Sequence, residues 1–229
     1  MKKNKKSVLV VVAHRDDEVL GCGGTIAKLV QENYKVYAIS MTNGISSRNN
    51  SSEKEIKNRL NASLEASRII GFKWLDKYCG DFSDNAMDSE PILRIVKLIE
   101  QAKTKVKPEL VITHYPEDLN IDHQIVSSAT LTAFRPKTNQ SCKKIISFEV
   151  ASATDYAIYK KKIFKPNYFV DVKKFWNKKK KALNAYKNEM MKYPNSRSVK
   201  GLKNLAHYRG NQVGLNMAEA FEILRIIKK

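Results

Sequence analysis

The sequence predicts an α/β fold: a Rossmann-like, mostly parallel sheet with helices on both faces. Three observations predict it. Apolar runs of strand length alternate with helix-period segments over the first two-thirds of the chain. The runs are continuously apolar rather than alternating, and polar clusters follow directly after two of them. A continuous Val/Ile/Leu run is the mark of a central parallel strand covered on both faces. The 229 residues suffice for one such domain, expected over 1–229, with a Rossmann-like core at about 7–150 and residues 151–229 completing the site.

Taken in order, residues 8–13 are a β-branched run and the first predicted strand. A Gly-rich turn at Gly21, Gly23 and Gly24 leads into a helix through residues 25–30, and residues 35–41 form the second strand. After a polar loop at 43–52, Ile56, Leu60, Leu64 and Ile70 fall near helical spacing, and residues 72–75 suit a short strand. A helix over about 90–106 places Ile92, Val96, Ile99 and Val106 on one face and ends at Lys107-Pro108. Residues 110–114 are another buried strand, followed by a polar loop and a helix over about 122–134. This βαβαβ order implies ligands at the carboxyl ends of the strands. In the less regular last third, 143–150 and 168–172 read as strands, 174–191 as a basic helix and 215–227 as a closing amphipathic helix.

The 42 Lys+Arg against 23 Asp+Glu give a net charge of +19, which favours anionic partners. The lysines are spread along the chain, with Lys160–Lys162 and Lys178–Lys181 as the exceptions. A nucleic-acid binder should concentrate its charge in a stripe with interleaved aromatics. Residues 160–192 come nearest, but that reading leaves the polar clusters unexplained, so no nucleic-acid partner is expected. Cys22, Cys79 and Cys142 are odd in number and form no C-x-x-C pair, which argues against a disulfide framework and a thiolate metal site. The Lys-rich start followed by an apolar run imitates a signal peptide, yet the run stops at His14, Arg15 and three acids without a cleavage pattern. No stretch approaches membrane-spanning length, and a cytoplasmic location is expected.

His14 and Asp17 lie three positions apart after the first strand, and His123 lies on a second loop of the same sheet edge. Imidazole and carboxylate suit zinc, and three protein ligands leave the open position that a hydrolytic water requires. Asp16, beside Asp17, faces elsewhere and is a candidate general base. The plain alternative is a solvated helix start, where acids are favoured by the helix dipole. Spacing alone leaves both open.

The segment Ala13-His14-Arg15-Asp16-Asp17-Glu18 resembles the A-H-P-D-D-E signature of the PIG-L/LmbE-like deacetylase family. A second family motif is matched by residues 113–123, and a third by Tyr193-Pro194-Asn195-Ser196-Arg197-Ser198, Arg209-Gly210 and Ala218-Glu219-Ala220-Phe221. The resemblance covers nearly the whole chain. It implies zinc, or another divalent metal such as Fe2+, on His14, Asp17 and His123, with Asp16 as general base. It also implies removal of acetyl from an N-acetylglucosamine-type sugar, lipid-linked or in glycan biosynthesis or part of a thiol-cofactor precursor, and association into homo-oligomers, while the positive charge favours a nucleotide-linked or lipid diphosphate-linked sugar.

Two departures stand out. Arg15 replaces the usual Pro, so φ is no longer fixed there, and its guanidinium either contacts an anionic substrate or pairs with an acid. Asn120 stands where many members carry His; it can donate to an oxyanion but cannot supply a proton near neutral pH, which leaves protonated Asp16 as the acid for the amine. Around these, Asp122 either holds His123 or caps its helix, and Asp118 either meets a sugar hydroxyl or shapes its loop. His114 either lines the site or is satisfied by backbone. Arg197 and Arg209 are candidates for a substrate phosphate or carboxylate, with Glu219 as a partner for one of them or an ordinary helix residue. His207, Trp74 and Trp176 read as structural.

Overall fold

The computed structural model describes residues 6–42, 52–159 and 162–228. The polar loop at 43–51, the first basic residues and Lys160 and Lys161 of the lysine tract lie outside these. Five strands form the parallel body: β1 (Ser7–Val12), β2 (Lys35–Ser40), β3 (Lys73–Trp74), β4 (Leu110–His114) and β5 (Lys144–Phe148). Two more, β6 (Tyr168–Asp171) and β7 (Ala218–Ile226), complete a sheet ordered β3-β2-β1-β4-β5-β7-β6, in which β7 runs antiparallel to both neighbours. The strand order reverses between β1 and β4, and such a reversal opens a crevice beyond the strands' carboxyl ends.

Alternation along β1 explains its continuous apolar sequence. Val8, Val10 and Val12 enter one core, while Leu9, Val11 and Ala13 enter the other. The first core is closed by α1 (Asp17–Gln31), α2 (Glu53–Ile70), α5 (Trp176–Ala185) and α6 (Val199–Asn211). The second lies under α3 (Ile92–Val106) and α4 (Ile121–Ala133). Each large aliphatic side chain so buried contributes about 1.5–3 kcal/mol. No helix among the described residues is long and apolar enough to cross a membrane. All three cysteines are free thiols.

Three sequence expectations are corrected. The glycines expected in a turn before the first helix lie inside α1, whose backbone breaks at Cys22 (φ −141). There a Cβ on Gly21 would stand 2.1 Å from Phe148, so the glycine lets α1 press against β5. The helical spacing of Ile56, Leu60, Leu64 and Ile70 is matched by α2, whose buried face is Arg59, Ser63, Ala66, Ser67 and Ile70. The basic helix expected over 174–191 is confined to α5 and followed by a 3-10 turn at Lys187–Glu189. The closing helix expected over 215–227 is instead β7, fixed by its pairing with β5 and β6. The helix α6 has no counterpart in the sequence expectation.

Candidate functional site

The crevice between β1 and β4 gathers the polar clusters that follow these strands. His14 leaves the end of β1, Asp17 opens α1, and His123 sits in the first turn of α4. That turn is held by Asn120, whose Oδ1 accepts the backbone N–H groups of Asp122 (2.8 Å) and His123 (3.4 Å).

Three donor atoms converge. Asp17 Oδ2 lies 3.1 Å from His14 Nδ1 and 3.4 Å from His123 Nε2, and the two imidazole nitrogens are 3.2 Å apart. Ligands about 2.0–2.1 Å from a tetrahedral ion stand about 3.3 Å from one another. The triangle therefore has the edge lengths of a zinc-sized site, and all three side chains are buried. A second acidic group meets the other ring nitrogen of His14: Nε2 faces Asp84 at 2.8 Å and Asp122 at 3.2 Å. Asp122 also accepts backbone N–H groups from Asn85 (2.7 Å) and Met87 (3.1 Å), which suits it to orienting His14.

These acids set the imidazole charges. Burial alone would depress His14, but Asp17, Asp122 and Asp84 override it and raise its pKa well above the usual value. Burial is likewise overridden at His123 by Asp17 and Asp118, which raise it to about 9. His114 goes the other way, lowered by burial and by His123. Its Nε2 accepts the Ala13 N–H at 2.8 Å while its ring stacks on His123, so it supports the site through the backbone of β1. Burial lifts the Glu18 carboxyl to about 8, although the Tyr186 hydroxyl donates to it at 2.8 Å. Glu18 also accepts the Asp16 N–H at 3.0 Å, which fixes the backbone of Asp16.

The remaining expected residues are placed as follows. Asp16 is buried and forms ion pairs with Arg59 (2.9 Å) and with Arg197. Asp118 accepts the Asn120 N–H at 2.9 Å and the Thr154 hydroxyl at 2.5 Å, the loop-shaping alternative, and faces His123 Nδ1 at 3.3 Å. Asp122 is engaged with His14 and not His123. Arg15 pairs with Asp76 (2.6 Å), donates to Ser63 and lies over Trp74, the acid-pairing alternative. Arg209 makes a bidentate pair with Glu149 at 2.7 and 2.6 Å and is thereby committed within the protein rather than to a substrate anion. Glu219 pairs with neither arginine: it binds Lys179 at 2.7 Å and accepts the N–H groups of Gly24 and Thr25 at the break in α1.

Arg59, Asp84 and Glu189 belong to the site and were not expected from the sequence. Arg59 pairs with Asp16 and Glu189, and its Nε donates to the carbonyl of Arg15 at 2.7 Å. The available signal was an arginine in phase with the buried serines and alanine of α2. Together with His14, Asn120 and Arg197, these three line an open cavity of about 430 Å3.

Comparison with known proteins then decides the family. Residues 9–134, more than half of the chain, match the family described as PIG-L: GlcNAc-PI de-N-acetylase. The chain belongs to the PIG-L family. Among its relatives is a probable N-acetyl-alpha-D-glucosaminyl L-malate deacetylase 2 from Bacillus anthracis, 26% identical over 201 residues, covering 82% of this chain and 83% of the relative. The N,N'-diacetylchitobiose deacetylase of Pyrococcus horikoshii superposes with a TM-score of 0.74 at 22% identity, over 97% of this chain and 85% of that one. The 4-carboxy-2-hydroxymuconate hydratase of Pseudomonas putida KT2440 superposes with a TM-score of 0.75 at 21% identity, over 98% and 99%. As a PIG-L family member, the chain is an enzyme.

Proposed function

We propose that this PIG-L protein is a zinc-dependent hydrolase that removes the acetyl group from an N-acetylated amino sugar. One observation carries the reading: the His14, Asp17 and His123 donors form a triangle of zinc dimensions beside the buried carboxylate of Asp16. The Bacillus anthracis relative and the Pyrococcus horikoshii neighbour, both named as deacetylases of N-acetylated sugar compounds, support it. His14, Asp17 and His123 hold the ion, and when bound it supplies Lewis acidity at that point. Asp16 takes the proton of the attacking water. Each of its oxygens faces one guanidinium group and keeps a further lone pair that can take the proton. Arg197, 21% exposed against 5% for Arg59, is the more accessible of the two from the cavity to an anionic group of the substrate. The Asn120 amide donates one N–H to Asn85 at 2.9 Å and has a second for the oxyanion of the tetrahedral intermediate. Asp16 then returns its proton to the leaving amine, and acetate is released.

The test is acetate release from a panel of N-acetylated sugars, free, nucleotide-linked and lipid-linked, with and without zinc, for the parent protein and Asp16→Asn. Asp16→Asn should bind zinc as the parent does and turn over at least about a hundredfold more slowly. Full activity in that variant would remove Asp16 from the chemistry. Hydration of an unsaturated acid without acetate release would assign the site to the reaction named for the Pseudomonas putida neighbour.

A further inference from the structure

Arg15 stands between a proposed metal ligand, His14, and the proposed base, Asp16, in the turn from β1 into α1. That turn closes around it through the Asp16 and Asp17 N–H groups, which donate to the His14 carbonyl at 3.2 and 3.4 Å. The Arg15 N–H and carbonyl pair with no backbone group among the described residues. Its carbonyl is met by a side chain instead, the Nε of Arg59 at 2.7 Å. A buried turn so sparsely paired along its main chain needs side chains to hold it. The Arg15 side chain is one, for it is 9% exposed and does not line the cavity over His14. Its Nε donates to Ser40 Oγ at the end of β2 (3.3 Å) and one terminal nitrogen to Ser63 Oγ of α2 (3.0 Å). The other terminal nitrogen pairs with Asp76 in the 3-10 turn at Asp76–Tyr78 (2.6 Å). Its Cζ lies 4.5 Å from the centre of the Trp74 ring, and that indole is tied to the Ser63 carbonyl at 3.2 Å. A planar guanidinium fork can serve such divergent acceptors and stack on a ring at once.

We infer that Arg15 is a positioning residue: its side chain clamps the turn carrying His14, Asp16 and Asp17 to β2, α2 and the 3-10 turn, and so sets the ligand triangle and the base before metal or substrate arrives. The effect on turnover rests on the deacetylase reading, but the effect on metal affinity does not. Engaged on every side within the protein, Arg15 adds nothing to substrate affinity.

The experiment compares the parent with Arg15→Met, which keeps an unbranched chain against Trp74 but no donor, with Arg15→Lys, and with Asp76→Asn. Asp76 is 61% exposed, so its substitution weakens the outer anchor without stranding a buried charge. Zinc affinity is read by competition with a chromophoric chelator, and kcat and KM by acetate release from the N-acetyl sugar that the parent turns over fastest. Arg15→Met should bind zinc about tenfold more weakly and lose about 10–100-fold in kcat at unchanged KM, as for other residues that orient metal ligands. Arg15→Lys should recover part of both losses, and Asp76→Asn should show smaller ones in the same direction. A lower melting temperature with parent-like zinc affinity and kcat would reduce Arg15 to packing and overturn the inference. A raised KM at unchanged kcat would place Arg15 on the substrate and overturn it as well. If Arg15→Met does not fold, Asp76→Asn decides, and parent-like zinc affinity and kcat there overturn the clamp. Should the parent release no acetate, the deacetylase reading falls, and zinc affinity alone tests the clamp.

Discussion

Asn120 is bound through both ends of its amide: the oxygen caps α4 at His123, and the nitrogen reaches Asn85. The two roles can be separated by substitution. Asp is as good a helix cap as Asn, but it offers no N–H and would repel a developing oxyanion. Asn120→Asp should therefore melt within about 1 kcal/mol of the parent, yet lose about 10²–10³ in kcat. An active Asn120→Asp would confine residue 120 to capping. Asn120→Ala makes the complementary case: it loses the cap, about 1 kcal/mol, and loosens His123 as well.

At the scale of elements, α1 is a helix in two parts. The break at Cys22 frees the N–H groups of Gly24 and Thr25, and Glu219 of β7 accepts both while neutralising the buried Lys179 of α5. Glu219→Gln keeps an acceptor but leaves Lys179 buried without its counter-charge. Removing one partner of a buried pair costs about 3–5 kcal/mol, which chemical denaturation would read directly. A loss under about 1 kcal/mol would mean that Lys179 has found another partner. The same region marks where the sequence stops being readable. Strands β1 and β4 are legible because central parallel strands carry uninterrupted apolar residues, and His14, Asp17 and His123 stand out as candidates because they follow such strands within segments that resemble the family's motifs. The segment Ala218-Glu219-Ala220-Phe221-Glu222-Ile223-Leu224 consists largely of good helix formers and becomes a strand through pairing with β5 and β6, which is invisible locally. Arg59, Asp84 and Glu189 escape for a related reason. They come from a helix, an irregular stretch and a 3-10 turn, and only the folded chain brings them to one cavity.

Across the whole molecule, the charge state of the site couples metal, pH and stability. His123 is raised from 6.5 to about 9, so without metal its contribution to stability is complete below pH 6.5 and is lost as pH rises through about 9. Glu18, raised from 4.5 to about 8, acts in the same direction, because the unfolded chain gives up that proton from pH 4.5 upward. Metal binding requires neutral imidazole and so runs opposite. Apparent zinc affinity should climb with pH through about 9, and melting curves with and without zinc should diverge between pH 6.5 and 9. Parallel curves across that interval would mean that His123 does not carry the proton displaced by metal.

The placement of β7 also bears on how the chain assembles as it is synthesised. Translation proceeds in chain order, but the last strand, residues 218–226, fills the gap between β5 and β6. Until it emerges, the ribosome-bound chain carries an open sheet edge at β5 and a β6 with nothing to hold it, the kind of exposure that invites aggregation and chaperone capture. The ligand triangle, drawn from residues 14, 17 and 123, could close well before then. The proposed ligands could thus be brought together while the far side of the sheet still waits for residues 218–226.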